Sequence, residues 1–187
     1  METTEEQRGA LLALARRSIA SGVTRGASGR SGSCDDAAPP EPIFSELRAV
    51  FVTLHLDGRL RGCIGNLEAR ETLWHNVRYM AGQAAFHDPR FPPVTPSEFE
   101  KIDIEISILS PFREAALEEI VVGKHGVLLE KDGRSAVFLP QVAAEQGWDK
   151  ETMLHELCRK AGLPASAWKS GARFSVFTSE KFGEGRL

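Results

Sequence analysis

Two short segments, Asp57-Gly58-Arg59 and Asp132-Gly133-Arg134, occupy the same place in two stretches of similar order, and this repeat limits the possible folds more than any other feature of the chain. Asp-Gly between two alternating apolar runs signals a hairpin, because a tight two-residue turn needs the left-handed backbone that Asp and Gly tolerate. Each hairpin is followed by a helical stretch and then by a further strand, at Ile102 in the first half and at Phe174 in the second. The order strand, Asp-Gly-Arg turn, strand, helix, strand thus runs over about 44–110 and again over about 120–182. Two strand-hairpin-helix-strand repeats with mainly antiparallel sheets predict an α+β fold. With 187 residues the chain holds one sizeable core and is short for two full domains, so 1–187 reads as a single domain.

Taken in order, Thr3-Thr4-Glu5-Glu6 fits a capping box, and Leu11, Leu14, Ala15 and Ile19 recur at helical spacing up to Gly22. From about 22 to 42 the composition turns to Gly, Ser and Pro, which predicts a flexible insertion that carries Cys34. Val50, Val52, Leu54 and Leu56 then share one face of a strand, with Phe51, Thr53 and His55 on the other. A three-residue loop through Arg59 keeps the apolar faces matched in the first hairpin: Leu54 opposite Gly62, Val52 opposite Ile64, Thr53 opposite Cys63 and His55 opposite Arg61. That register predicts one face shared by His55, Arg61 and Cys63. A helix from Glu71 to Phe86 presents Leu73, Val77, Met80 and Ala84 on one stripe, and places His75 and Tyr79 on the polar side. Thr95-Pro96-Ser97-Glu98 has the residues of a helix start. Ile102 to Ile108 alternates without a fault, so Asp103 and Glu105 project together from the polar face of a strand.

Leu60-Arg61-Gly62-Cys63-Ile64-Gly65 is an odd way to build the second strand of a hairpin. Glycine weakens a strand and marks a bulge or the close approach of a ligand or another backbone. Here two glycines flank a thiol, and a neighbouring cation such as Arg61 raises the thiolate fraction of a cysteine. Cys63 therefore reads as a candidate nucleophile supported by Arg61 and exposed backbone N–H groups, set against a second reading as a small apolar strand residue. His87-Asp88-Pro89-Arg90-Phe91-Pro92-Pro93 is a stiffened loop carrying His, Asp and Arg, suited to binding or to a rigid connection. The Asp103 and Glu105 pair has the chemistry of an acid and base, and equally of a wet strand face. His155 and Cys158, three apart on a helix, read as a surface histidine and a core cysteine before they read as metal ligands.

A net charge of -3 argues against the one-sided basic field of a nucleic-acid binder. No apolar run reaches the ~20 residues of a membrane span, the acidic start is unlike a signal peptide, and a cytoplasmic location is expected. Three cysteines without a C-x-x-C pair indicate neither a disulfide framework nor a zinc knuckle. G-x-x-x-x-G-K-[ST], G-x-G-x-x-G, H-E-x-x-H and G-x-S-x-G are all absent, so no cofactor and no metal is expected.

Leu60-Arg-Gly-Cys-Ile-Gly65, Ala84-Ala-Phe-His-Asp-Pro-Arg-Phe91, Ile104-Glu-Ile-Ser-Ile-Leu-Ser110, Phe138-Leu-Pro-Gln-Val142, Gly147-Trp-Asp149 and Leu157-Cys-Arg-Lys-Ala-Gly162, in this order, resemble the AMMECR1-domain proteins from about Ala10 to Phe182. The resemblance implies a larger and a smaller lobe, a cleft near Leu60–Gly65, and relatives encoded beside or fused to Memo-like and radical-SAM proteins. It supplies no reaction. Two functional readings follow. One is an accessory binding module whose Arg61, Gly62, Gly65, Asp88 and Arg90 form a cleft for a small acidic ligand or for a Memo-like or radical-SAM partner. The other is an enzyme acting on a small molecule or protein side chain, with Cys63 as nucleophile, Arg61 as its electrostatic support and His55 or His87 as base.

Overall fold

The structure is a computed structural model that describes residues 3–25 and 37–185. Most of the expected 22–42 insertion, with Cys34, lies outside the described residues. The chain divides into two compact units, Met1–Leu109 with Glu180–Leu187, and Ser110–Ser179.

In the first unit, helix α1 (Glu5–Arg25) is followed by one helical turn, α2 (Pro42–Ser45), and a hairpin of β1 (Val50–Leu56) and β2 (Arg59–Gly65). Then come α3 (Leu73–Phe86), the short α4 (Pro96–Phe99) and β3 (Asp103–Leu109). The first helix runs past Gly22 to Arg25. Its capping box is formed one residue later than the pattern suggested: the Thr4 hydroxyl accepts from the Gln7 N–H at 3.3 Å and the Gln7 side chain accepts from the Thr4 N–H at 3.0 Å. Thr3 is used elsewhere, its hydroxyl and N–H both donating to Glu180. The α4 start forms as expected, with a full box between Thr95 and Glu98.

Leu11, Leu14, Ala15 and Ile19 of α1 and Leu73, Val77, Ala81 and Ala84 of α3 pack with Val50, Val52, Leu54, Ile104 and Ile106 of the sheet, every one of them at most 1% exposed. This burial of one sheet face under two helices is the source of the unit's stability. His75 and Tyr79 lie on the exposed side of α3 as the periodicity predicts.

The second unit carries β4 (Arg113–Glu114), a 3-10 turn at Leu117–Glu119, the hairpin of β5 (Gly126–Lys131) and β6 (Arg134–Phe138), helices α5 (Pro140–Glu145) and α6 (Lys150–Lys160), a 3-10 turn at Ala165–Lys169, and β7 (Arg173–Phe177). Cys158 is fully buried among Met153, Leu154, Leu157 and Phe174, and burial pushes its thiol pKa up. His155 stands with its ring 5.9 Å from that of Trp168, so this pair is packing. A last strand, β8 (Ser179–Gly183), follows β7 and returns to the first sheet; both β4 and β8 escaped the sequence pattern.

The strand orders are β2-β1-β3-β8 and β6-β5-β7-β4, so the expected repeat is real at the level of topology. Each fourth strand is the chain segment that follows the third strand of the other sheet. Every pairing with a defined register, β1 with β2 and β3, and β7 with β4 and β5, and β5 with β6, is antiparallel. Both Asp-Gly turns use left-handed backbone, with φ of 50° and 72° at Asp57 and Gly58 and 51° and 73° at Asp132 and Gly133. No helix among the described residues is long and apolar enough to cross a membrane.

Candidate functional site

The first hairpin resolves the conflict between turn length and register in a way the sequence did not show. Val52 pairs with Ile64, Thr53 with Cys63 and Leu54 with Gly62, as the apolar faces demand. The turn nonetheless has only two residues, Leu56 pairs with Arg59, and His55 faces Leu60 rather than Arg61. The register shift after Leu54 leaves Arg61 as the extra residue of a bulge, and its side chain is engaged by Glu98 and the Pro93 carbonyl.

Both glycines of the motif are demanded by the protein's own packing. A Cβ on Gly62 would lie 2.3 Å from the Ala84 carbonyl oxygen, so β2 touches the backbone of α3 there. On Gly65 it would lie 2.3 Å from the Phe51 ring and 2.5 Å from the Val50 carbonyl oxygen. The close approach that the glycines signalled is to helix and strand of the protein itself.

β2 is the edge strand of its sheet, and the segment after α3 closes that edge. The Cys63 N–H donates to Asp88 Oδ2 at 2.8 Å, and Arg90 Nη2 donates to the Cys63 carbonyl at 3.0 Å. Asp88 also accepts from Arg90 Nε at 2.9 Å and Nη2 at 2.7 Å, and from the Arg90 N–H at 3.1 Å. The bidentate Arg90 guanidinium, helped by the two backbone N–H groups, holds the Asp88 carboxyl far below the usual carboxylate range although burial opposes it. Asp88 in turn raises the Arg90 pKa. The Asp88 side chain is only 2% exposed, whereas that of Arg90 is 54% exposed. Pairing across the edge therefore places a rigid, half-open guanidinium beside Cys63.

Arg61, 7% exposed, reaches the same segment farther on: Nε donates to Glu98 Oε1 at 2.9 Å, and Nη2 to Glu98 Oε2 at 3.1 Å and to the Pro93 carbonyl at 3.3 Å. Arg61, with the Thr95 N–H and hydroxyl, lowers Glu98 to about 2 against the cost of its burial. The guanidinium carbons of Arg61 and Arg90 lie 5.9 Å and 5.5 Å from the centroid of Phe91, one ring serving both. Among the described residues, Arg61 Nη1 is buried without a hydrogen-bond partner and Arg90 Nη1 makes no hydrogen bond.

On the sheet face away from the helices, Cys63, Thr53 and Glu105 form one cross-strand row and His55 and Asp103 the next. The half-buried Cys63 thiol accepts from the Thr53 hydroxyl at 3.3 Å. Glu105 pairs with Lys181 at 2.9 Å. Asp103 is 5% exposed, a buried carboxyl where alternation alone suggested a wet face. Among the described residues His55 Nδ1 is buried without a partner, and no hydrogen bond joins His55 or the exposed His87 to Cys63. His87 instead ends α3, its N–H donating to the Gln83 carbonyl at 2.9 Å. No group of three or more His, Cys, Asp or Glu that could hold a metal ion occurs among the described residues.

Sequence reasoning missed Glu98 as the partner of Arg61, and it missed Asn76. Asn76, 1% exposed, donates to the Arg48 carbonyl at 2.7 Å and exchanges side-chain bonds of 3.1 and 3.2 Å with Asn66 just after β2. A polar residue set in the apolar stripe of α3 was the available signal.

A family model described as AMMECR1 matches residues 12–182. Protein MK0488 of Methanopyrus kandleri is 41% identical over 165 residues, covering 82% of this chain and 80% of that protein. A Methanosarcina mazei protein is 38% identical over 189 residues, with 97% and 93% covered. The crystal structure of an uncharacterized protein from Pyrococcus horikoshii, PH0010, superposes with a TM-score of 0.79 at 35% identity, over 94% of this chain and 90% of that one.

Proposed function

The chain belongs to the AMMECR1 family, and on that premise we propose that it is an accessory binding module, not a catalyst, receiving a small acidic ligand at the closed edge of β2. One observation carries this reading: Arg90, fixed by Asp88 and half exposed, keeps an Nη1 with no hydrogen-bond partner among the described residues, beside the Phe91 ring that it shares with the Arg61 held by Glu98. A preorganised guanidinium with unspent donors binds a carboxylate or phosphate without first being ordered, so the entropy of ordering is already met. Gly62 and Gly65 support the site by letting β2 press against α3 and β1. Memo-like and radical-SAM proteins, the partners the resemblance implies, would present an acidic side chain to the same donors.

A second reading has one feature in its favour. His55 Nδ1 is buried without a partner among the described residues on the face that carries the Cys63 thiol, and a buried imidazole nitrogen left unpaired calls for an explanation. In that reading His55 takes the Cys63 proton and the thiolate adds to a carbonyl carbon, the C=O π pair moving to its oxygen.

Titration of the protein with citrate, glutarate and inorganic phosphate, read by calorimetry and amide chemical shifts, separates the two. Binding to the native chain and to Cys63→Ser, together with a loss of about tenfold or more in Arg90→Gln, supports the module. Rapid alkylation of Cys63 at pH 6 in Cys34→Ser protein, with anion binding abolished by Cys63→Ser, overturns it in favour of the nucleophile.

A further inference from the structure

The second unit contains a groove of about 510 Å³, within the range of small-ligand sites, and a missing rung of its sheet lies along it. β4 pairs with β7 through Arg113 and Val176 and through Glu114 and Ser175, and the Ala115 N–H still donates to the Phe174 carbonyl at 3.1 Å. The same register would next set Leu117 opposite Ala172. Leu117 instead begins the 3-10 turn Leu117–Glu119, and the two segments diverge.

Backbone groups of successive residues in a strand point to alternate sides, so those of Ala172 point to the same side as those of Phe174 and Val176. Ala172 lies just ahead of β7, and neither its N–H nor its carbonyl has a hydrogen-bond partner among the described residues. Trp168 lines the groove beside this gap. Glu114 and Glu119 reach it from the β4 segment, Lys169 and Arg173 from the segment leading into β7. Glu119 is held by Arg113 at 2.8 Å, Lys169 by Glu151 at 3.2 Å and Arg173 by Glu130 at 3.8 Å, while the Glu114 side chain has no partner among the described residues.

We infer that this groove binds a short extended peptide segment, which supplies the missing rung to Ala172 and lays a basic side chain toward Glu114 and an acidic one toward Lys169 and Arg173. An unpaired strand edge gives main-chain hydrogen bonds and the oppositely charged side chains give direction and selectivity. The site is separate from the one at β2 and does not rest on the function proposed there.

The test is the amide spectrum of the full-length ¹⁵N-labelled protein titrated with a blocked lysyl-valyl-glutamyl tripeptide. The expected result is a saturable shift of the Ala172 amide, slower hydrogen exchange there, and no response to the same tripeptide N-methylated at its central bonds. Glu114→Lys, a change on an exposed side chain, is expected to weaken binding about tenfold or more. No saturable shift at Ala172 with millimolar tripeptide overturns the inference. So does an equal response to a mixture of free lysine, valine and glutamate, which would make this a site for a free zwitterion. Unchanged affinity in Glu114→Lys overturns the role given to the charged side chains.

Discussion

At the scale of single residues, the glycines of the β2 motif separate two meanings that a sequence cannot distinguish. Gly62 lies 2.3 Å from the Ala84 oxygen when given a Cβ, and that oxygen belongs to helix backbone that no rotamer change can move. Gly62→Ala is therefore expected to push α3 off β2 and cost about 1–3 kcal/mol, the range for overpacking a tight core. Gly82, in the same helix, is the control: its Cβ would meet only Ser18 Oγ at 3.8 Å, so Gly82→Ala should stabilise by about 0.5–1 kcal/mol through helix propensity. Thermal unfolding of the two variants checks both signs, and a neutral Gly62→Ala would contradict the close packing of α3 on β2. Glycine in a strand correctly announced a close approach, but the identity of the approaching group depends on a helix that starts well after the motif.

At the scale of elements, the segment from His87 to Glu98 works as a clamp on an edge strand. Its local order was legible: prolines that stiffen it, and a capping box from Thr95 to Glu98 that the structure reproduces. Its targets were not, because Asp88 bonding to Cys63 and Glu98 bonding to Arg61 join residues far apart in the chain, and no local period encodes such a pair. The bulge at Arg61 shows the same limit. Matching the apolar faces gives the pairs at Thr53 and Leu54, but it puts the extra residue in the turn, whereas it lies in β2.

The clamp makes a pH prediction. Glu98 is lowered from 4.5 to about 2 chiefly by Arg61. Between those pH values the unfolded chain binds the proton and the folded chain does not, so stability is complete above about pH 5 and is lost as pH falls toward 2. The Glu98 side chain is 26% exposed and Arg61 9%, and the linkage amounts to up to about 3 kcal/mol. Asp88 acts with the same sign at lower pH. Glu98→Gln should therefore lose about 3 kcal/mol at pH 7, lose little at pH 2.5, and show a flatter dependence between them. Urea unfolding at pH 7, 4 and 2.5 measures this, and an unchanged slope would mean that the Arg61 pair is not the source.

At the scale of the whole molecule, the duplicated hairpin gave the repeat its outline, and the fourth strand of each sheet is what the outline lacked. β4 has two residues and β8 five, and Ser179-Glu-Lys-Phe-Gly183 alternates too weakly to declare itself. The consequence is an asymmetry of dependence. The second unit is one continuous stretch, Ser110–Ser179, whereas the first is completed only by Glu180–Leu187. There Glu184 accepts from Arg16 Nε at 2.6 Å and from the Ile104 N–H at 3.2 Å, while Glu180 pairs with Arg8 at 2.8 Å. Arg16, with an 18% exposed side chain, would keep the Phe99 and Ile102 carbonyls and the Phe99 ring but no carboxylate among the described residues if Glu184 were removed. A chain ending at Thr178 thus leaves β3 as a bare edge and a largely buried cation without its carboxylate, a loss of about 3 kcal/mol. Because ~1.4 kcal/mol is a factor of ten, amides of β1 and β3 should exchange about a hundredfold faster in the truncated chain, while those of β5 and β7 keep their protection. Equal loss in all four strands would show instead that the two units open as one.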